Sequence, residues 1–254
     1  MPKMKSKETC GLIPTGINQI DRAIGGLKCG ELSVVASVPN YLSWDFAIKL
    51  ATNIGIRNKT PMSVFSLEIS SLQLLRRLMC DFLNINREGL SKLSTDELEE
   101  MIAPLKDAPV YIDETIRISM EELETKIRSL ARDHGIKLVI VDHLQLMKDY
   151  EVPIEQRQQA TNGIIASLKR LARELNLHVL LRNQLIKYVE YAVGLSLFRS
   201  FMSFIGPQSV IFTEADNLMM LFEERSSNEV WAGLWNAGLD DIATMKLDLL
   251  KDHK

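Results

Sequence analysis

Short apolar runs alternate with amphipathic stretches along most of this chain. The runs have the length and composition of buried strands, and the stretches between them repeat apolar residues at helical spacing. Such alternation is typical of a parallel sheet whose strands are joined by crossover helices. It predicts an α/β fold with a mostly parallel central sheet flanked by helices. The predicted strands are 32–38, 62–67, 109–112, 137–142, 177–181, 217–222, 230–235 and 243–249.

The amphipathic stretches predict helices of ordinary length. Two of them open with a capping box, which begins at Ser94 in one and at Ser119 in the other. The longest contains Asn162-Gly163, a poor pair for a helix interior, so its start is predicted nearer Gly163. The segment 187–213 is ambiguous and predicted to be rich in loops. The predicted helices are 17–24, 44–57, 72–83, two short ones within 84–105, 119–134 and 156–176.

Length and composition favour one large domain. The chain has 254 residues, of which 46% are hydrophobic, and we predict a disordered or linker leader at 1–12 and a single domain at 13–254. The net charge of −3 gives no global basic field for nucleic acid. No apolar run approaches the roughly 18 residues of a membrane span, and no signal peptide is recognisable. Three cysteines without metal-type spacing fit a reducing cytosol, so a cytoplasmic location is predicted.

The first predicted strand leads into the setting of a phosphate-binding loop. It runs into Pro39 and then into a helix that starts near Trp44. Yet no residue from Val38 to Phe46 is glycine, and no lysine precedes the helix. Glycines let the backbone N–H groups of such a loop approach a phosphate, and a lysine supplies its fixed positive charge. The setting is present without the residues that the chemistry needs.

Three polar residues follow the predicted strands at the edge where ligands gather in open α/β sheets. Asp142 can hold a magnesium ion through water beside phosphates, and Glu68 can orient water for attack on a terminal phosphate. Gln184 can sense a phosphate by hydrogen bonding. Each also has an ordinary structural interpretation: Asp142 as an acid capping a loop, Glu68 as the start of the next helix, and Gln184 as a loop cap.

Several segments together resemble one family. The chain resembles the C-terminal RecA-like ATPase domain of DnaB-type replicative DNA helicases, of superfamily 4, over residues 11–250. This resemblance implies a RecA-like P-loop NTPase fold and a relation to DNA replication. The N-terminal helical domain of these helicases is expected to be absent. The segments that carry the resemblance are IPTGINQIDRAIGGLKCGEL, VFSLEIS, KLVIVDHLQLM, and RQQ followed by SLKRLARELN.

The resemblance assigns family roles to single positions. Glu68 matches the family's catalytic glutamate, Asp142 its magnesium-associated aspartate and Gln184 its phosphate-sensing glutamine. The phosphate loop departs from the family, because Leu42, Ser43 and Trp44 stand where glycine, lysine and threonine are expected.

A second departure lies near the C-terminus. There the family has a Lys-x-Arg-x-Gly pattern that reaches a neighbouring subunit's nucleotide. The segment 234–238 keeps only the glycine of that pattern.

These departures favour a domain that has kept the fold and lost the activity. Leu42 and Trp44 would obstruct a phosphate, Ser43 can serve as the helix N-cap, and Asp45 in the first turn would meet the helix dipole. The first hypothesis is a pseudo-ATPase that needs no cofactor and acts as an assembly, loading or inhibitory partner. The alternatives are an active ATP- and magnesium-dependent helicase with an unusual phosphate loop, and a binding module that reuses the fold.

Partners are implied only in outline. The resemblance implies a homo-oligomer, a hexameric ring in this family, or insertion beside a complete replicative helicase. Arg182, Lys187 and Arg199 lie among aromatic residues, an arrangement that can bind single-stranded DNA by stacking and charge. The same stretch is also apolar enough to form a hydrophobic hairpin or a partner surface.

Overall fold

Strands of the expected number and spacing form the core of the protein. The computed structural model describes residues 11–37, 42–184, 210–224, 229–236 and 243–247. Within these ranges no helix combines the length and the apolar character needed to cross a membrane. The strands are β1 (Leu32–Ser37), β2 (Met62–Ser66), β3 (Val110–Asp113), β4 (Leu138–Asp142), β5 (His178–Gln184), β6 (Asn217–Glu224), β7 (Glu229–Asn236) and β8 (Ala243–Leu247).

The described strands form one sheet in the order β3-β2-β4-β5-β1-β6-β7-β8. The six strands from β3 to β6 in that order pair in parallel, and β7 and β8 add to one edge in antiparallel orientation. The predicted mostly parallel α/β fold is therefore confirmed. Ser66 lies opposite Asp142 and Ser37 opposite Gln184, so these strands end at the same edge of the sheet.

Helices cover the sheet much as the sequence predicts. The predicted capping box at Ser94 is formed, and a further one, not predicted, is formed at Ser70. At Ser119 the described contact is half of the predicted box, in which the serine side chain accepts from the backbone N–H of Glu122. That helix ends at Gly135, whose φ of 63° suits a residue without a side chain. The helices are α1 (Asn18–Ile24), α2 (Leu42–Leu50), α3 (Ser71–Leu83), α4 (Arg87–Lys92), α5 (Thr95–Lys106), α6 (Met120–His134), α7 (Arg157–Leu175) and α8 (Val210–Glu214).

Two helix starts differ from the sequence prediction. Helix α7 begins at Arg157 rather than near Gly163, because its apolar face, with Ile164 and Ile165 buried, holds it against the core. Helix α2 begins at Leu42, two residues earlier than predicted. Ser43 therefore lies inside the first turn and is not the N-cap, whereas Asp45 does lie in that turn as expected.

Helix α2 continues without a break into a π-helix at Ala51–Arg57. The sequence predicts the full helical length but not this change of winding. Gly55 lies so close to β2 and β3 that a Cβ there would be 2.4 Å from Val110 Cγ2 and 2.8 Å from Met62 Sδ. The helix thus approaches the sheet at a residue that has no side chain.

The two faces of the sheet carry separate apolar cores. Because side chains alternate along a strand, β5 contributes Val179 and Leu181 to one core and Leu180 to the other. The second core also contains Leu42 and Trp44 from the start of α2. Arg182 follows Leu180 by two residues in β5, so it lies on the same face of the sheet, which α2 covers.

A buried polar cluster lies at the opposite, amino end of the parallel strands. His178 Nδ1 is 2.8 Å from the Lys28 carbonyl, and its Nε2 is 3.0 Å from Ser33 Oγ. Asn217 donates to Ser33 Oγ at 3.1 Å and accepts from Asn236 Nδ2 at 2.6 Å. This amino-end cluster links β1, β5, β6 and β7 by side-chain hydrogen bonds.

Candidate functional site

The site is built where the parallel strands end. Asp142 is the last residue of β4, and Glu68 follows β2 by two residues. Gln184 ends β5, and the first turn of α2 begins at Leu42. The structure therefore brings the acids Glu68 and Asp142 to the same edge as the start of α2.

Arg182 occupies the centre of this edge. Its guanidinium forms an ion pair with Asp142 Oδ1 and donates from its second terminal nitrogen to Ser43 Oγ at 2.9 Å. It also lies 3.9 Å from Glu68 Oε2. Arg182 is 5% exposed and Asp142 is fully buried, so the pair is formed away from solvent.

Trp44 closes over the ion pair. The guanidinium carbon of Arg182 lies 4.3 Å from the centroid of the Trp44 ring, a distance typical of cation–π contact. The indole Nε1 donates to Glu68 Oε2 at 2.8 Å, and Trp44 is only 3% exposed. We call Trp44 and Arg182 together the plug, because their side chains fill the space between both acids and the start of α2.

The charge of the plug follows from its surroundings. Burial lowers the pKa of Arg182 to about 9, while Glu68 and Asp45 raise it and Arg77 lowers it further. The guanidinium remains charged at neutral pH and supplies the positive partner that a buried aspartate requires. A cation is therefore present at this edge although the phosphate loop lacks its lysine.

His143 is a further titratable group at the edge. Its Nδ1 lies 3.5 Å from Asp142 Oδ1 and 3.8 Å from Glu68 Oε2. Burial lowers the pKa of His143, and the Glu68 carboxylate partly opposes that effect, so the imidazole is neutral at pH 7. Glu68 is the most accessible member, with 45% of its side chain exposed.

Gln145 fixes the end of β5. Its Nε2 donates to Asn183 Oδ1 at 2.6 Å and to the Gln184 carbonyl at 2.9 Å, and its Oε1 accepts from the Gln184 backbone N–H at 3.3 Å. Gln184 thus lies at the predicted edge with its backbone held in place.

The residues predicted to bind DNA are not brought together by the described part of the chain. Lys187 and Arg199 lie outside the described residues. The burial of Arg182 against Trp44 and Asp142 argues against a DNA contact for this side chain, because both ends of its guanidinium are engaged inside the protein. The predicted strand ends one residue before Arg182, which places this arginine in the following loop; in the structure it belongs to β5.

Of the positions aligned with the family's second charged pattern, 234–236 lie in β7, whereas 237 and 238 lie outside the described residues. Leu234 is fully buried in an apolar core, and Asn236 donates to Asn217 within the same chain. Neither side chain carries a charge that could reach a neighbouring subunit.

The family model described as the DnaB-like helicase C-terminal domain matches residues 12–237. The chain belongs to this DnaB-like family. It is 33% identical over 222 residues to the replicative DNA helicase DnaB of Geobacillus stearothermophilus, a match that covers 85% of this chain and 48% of the relative. It is 31% identical over 217 residues to the replicative DNA helicase DnaC of Bacillus subtilis (strain 168), a match that covers 84% of this chain and 47% of the relative.

Solved structures share the fold of this DnaB-like domain. One solved ATPase domain superposes with a TM-score of 0.77 at 22% identity, over 95% of this chain and 89% of that one. A DnaB-like replicative helicase, described with its interactions with primase, superposes with a TM-score of 0.79 at 22% identity. This match covers 97% of this chain and 63% of that one. The RecA-like fold of the DnaB-like family is thereby confirmed. This chain spans about half the length of the helicases from Geobacillus and Bacillus.

The described residues do not fit the ATP and magnesium that the family resemblance implies. Asp142 Oδ1 is engaged by Arg182, and the ring of Trp44 packs against the guanidinium of Arg182 beside the first turn of α2. Leu42, Ser43 and Trp44 are all buried, so this turn offers no open surface. Trp44 also lacks the hydroxyl that a magnesium ligand would need.

Two side chains that define the site's present state are absent from the sequence prediction of its chemistry. Arg182 is predicted only as a contact to single-stranded DNA just beyond the end of a strand, and His143 is given no role. The signal for Arg182 is the alternation along β5, since a residue two positions after the buried Leu180 faces the same core. His143 has the weaker signal of following an acid at a strand end.

Proposed function

We propose that this chain is a DnaB-like domain that neither binds nor hydrolyses ATP, and that it serves DNA replication as a partner of other replication proteins. The plug carries this proposal. Arg182 neutralises the aspartate that would work with magnesium, and Trp44 holds the glutamate that would activate water. Both acids keep their family positions, and both are engaged by the protein's own side chains.

The energetics of the ion pair support the same conclusion. Nucleotide with magnesium would have to separate Arg182 from Asp142. Separating a buried, hydrogen-bonded ion pair is costly, and the phosphate would find neither glycine nor lysine at residues 42–44 to offset this cost. Leu234 and Asn236 also supply no charge for a nucleotide in a neighbouring subunit.

A domain without its own ATPase cycle is suited to assembly, loading or inhibition. In this proposal the chain associates with copies of itself or with a complete replicative helicase, since it shares the fold of the solved DnaB-like domains. Any contact with single-stranded DNA involves residues outside the buried edge, because Arg182 is occupied by Asp142.

Isothermal titration calorimetry with ATP and excess magnesium at millimolar concentration tests the proposal. We expect no saturable heat for this chain, while the Geobacillus stearothermophilus helicase serves as a positive control under the same conditions. A saturable, magnesium-dependent isotherm would overturn the proposal. In that event, loss of turnover in Glu68→Gln would identify an active site that uses an unusual phosphate loop.

A further inference from the structure

Three potential metal ligands converge beside the plug. One donor atom each from Glu68, Asp142 and His143 lies within 4.8 Å of the other two. His143 Nδ1 is 3.5 Å from Asp142 Oδ1 and 3.8 Å from Glu68 Oε2. Donors of a tetrahedral site with bonds of about 2.1 Å are about 3.4 Å apart, so the separations from the imidazole fit one shared ion.

Two buried atoms of this group have no hydrogen-bond partner among the described residues. His143 Nδ1 and Asp142 Oδ2 are both buried and unsatisfied, and His143 has only 8% of its side chain exposed. Buried polar atoms are normally satisfied, and an exception points to a missing ligand or to a strained site. Here the unsatisfied nitrogen is directed towards the two carboxylates rather than into an apolar wall.

We propose that Glu68, Asp142 and His143 bind a divalent transition-metal ion of the Zn²⁺ class without any nucleotide. An imidazole nitrogen with two carboxylate oxygens is a donor set that suits Zn²⁺, Co²⁺ or Mn²⁺. Water would complete the coordination at Glu68, the member of the three that is open to solvent. The ion bonds to the unsatisfied His143 Nδ1 and shares Asp142 with Arg182.

The local charges allow a dication. The carboxylates of Glu68 and Asp142 outnumber the single guanidinium of Arg182. Asp45 and Arg77, which also act on Arg182, carry opposite charges and offset each other. Trp44 supports the site as well, because its indole N–H donates to Glu68 Oε2 and holds that carboxylate beside His143.

This site differs from the magnesium position that the family resemblance implies. That position relies on Asp142, water and phosphates, whereas the proposed site needs the His143 imidazole and no phosphate. Magnesium prefers oxygen ligands and retains its water. Selectivity for a transition-metal ion over Mg²⁺ therefore distinguishes the proposed site from the family's magnesium position. The proposal does not depend on whether ATP binds.

Titration of the tag-free chain with Co²⁺, followed by visible absorption and calorimetry, tests the site. We expect one Co²⁺ per chain, displacement by Zn²⁺ and no competition from Mg²⁺ at the same concentration. His143→Gln and Glu68→Gln should each weaken binding at least about tenfold, since even residues behind a metal ligand contribute 10- to 100-fold. Glu68 is half-exposed, so its variant should fold even if a change at His143 disturbs the core.

His134→Ala is the matched control, because His134 is an exposed imidazole at the end of α6. This variant should bind Co²⁺ with unchanged affinity. The proposal is overturned if the wild-type chain binds no Co²⁺, if binding survives unchanged in folded Glu68→Gln and His143→Gln, or if it is lost in His134→Ala. Competition by Mg²⁺ would likewise contradict a site built on imidazole.

Discussion

At the scale of single residues, the site's state depends on one arginine. Arg182 is the partner of a fully buried aspartate, a hydrogen-bond donor to Ser43 and the cation beneath Trp44. A buried ion pair adds little net stability compared with apolar residues of the same size, yet removing one partner leaves the other charge buried and unpaired. Arg182 and Asp142 are therefore dependent on each other.

Replacing Arg182 alone should destabilise the protein strongly. Arg182→Leu leaves Asp142 buried and unpaired, so we expect a loss of about 3–5 kcal/mol in the free energy of unfolding, measured by urea denaturation. Arg182→Leu combined with Asp142→Leu should recover much of this loss, because both charges are then removed.

Arg128→Leu is the surface control for this prediction. Arg128 pairs with Glu124 and Glu174 on the exposed sides of α6 and α7, where solvent screens the charges. Arg128→Leu should lower the free energy of unfolding clearly less than Arg182→Leu does. Equal losses in the two single variants, or no recovery in the double variant, would contradict the assigned role of Arg182.

The sequence predicts part of this site and misses the rest for identifiable reasons. Glu68, Asp142 and Gln184 each follow an apolar run that is recognisable as a strand, so their common edge can be predicted. The plug cannot be predicted from the sequence, because its formation depends on a cation–π contact between Trp44 and Arg182. These residues are 138 positions apart in the sequence. Sequence patterning reports which face a side chain takes but not which distant partner it meets.

At the scale of elements, apolar periodicity predicts the strands and most helices. The helix over 157–175 shows where local propensity misleads, since its poor Asn162-Gly163 pair lies well inside the helix. Tertiary burial of the following isoleucines outweighs the propensity of two residues. The π-helix at Ala51–Arg57 has no sequence signal, because it reflects the close approach of Gly55 to two strands.

Two glycine substitutions should have opposite effects. Gly163→Ala adds a methyl group to an exposed helix position with no atom within 4 Å of the new Cβ, so we expect a gain of about 0.4–1 kcal/mol in stability. Gly55→Ala places its Cβ against Val110 and Met62, so we expect a loss of about 1–3 kcal/mol.

Urea unfolding of both variants measures the two effects. Far-ultraviolet circular dichroism verifies that each variant keeps its helix content. A stabilising Gly55→Ala would show that the π-helix does not depend on close contact with the sheet.

At the scale of the whole molecule, the sheet carries a polar group at each end. The plug lies at the carboxyl end, and the amino-end cluster around His178 lies at the other. His178 is fully buried, and burial lowers its pKa to about 4, although the Lys28 carbonyl and Asp216 raise it and Lys169 lowers it. The neutral imidazole accepts a hydrogen bond at one nitrogen and donates at the other, so the cluster keeps this pattern of bonds only while His178 stays neutral.

This shift predicts a loss of global stability in mild acid. An unfolded histidine binds its proton near pH 6.5, whereas folded His178 does so near pH 4. Between these values the unfolded state binds more protons, so stability falls as the pH decreases from about 6.5 to 4, by up to about 3 kcal/mol. Urea unfolding measured at intervals across this range gives the slope.

His178→Asn should flatten that slope, because asparagine can donate and accept without titrating. A shallower dependence will remain, since burial also lowers the pKa of His143. An identical slope in wild type and His178→Asn would exclude His178 as its source.

The plug also limits what single substitutions at this edge of the sheet can achieve. If the chain binds no ATP, as proposed, then a lysine at residue 43 and a threonine at residue 44 would still leave Asp142 paired with Arg182, so we expect neither change to create nucleotide affinity. Loss of Arg182 alone would lower the stability of the protein, because Asp142 would be left buried and unpaired. The contacts of Arg182 with Asp142, Ser43 and Trp44 therefore oppose any single substitution that would open this edge to a nucleotide.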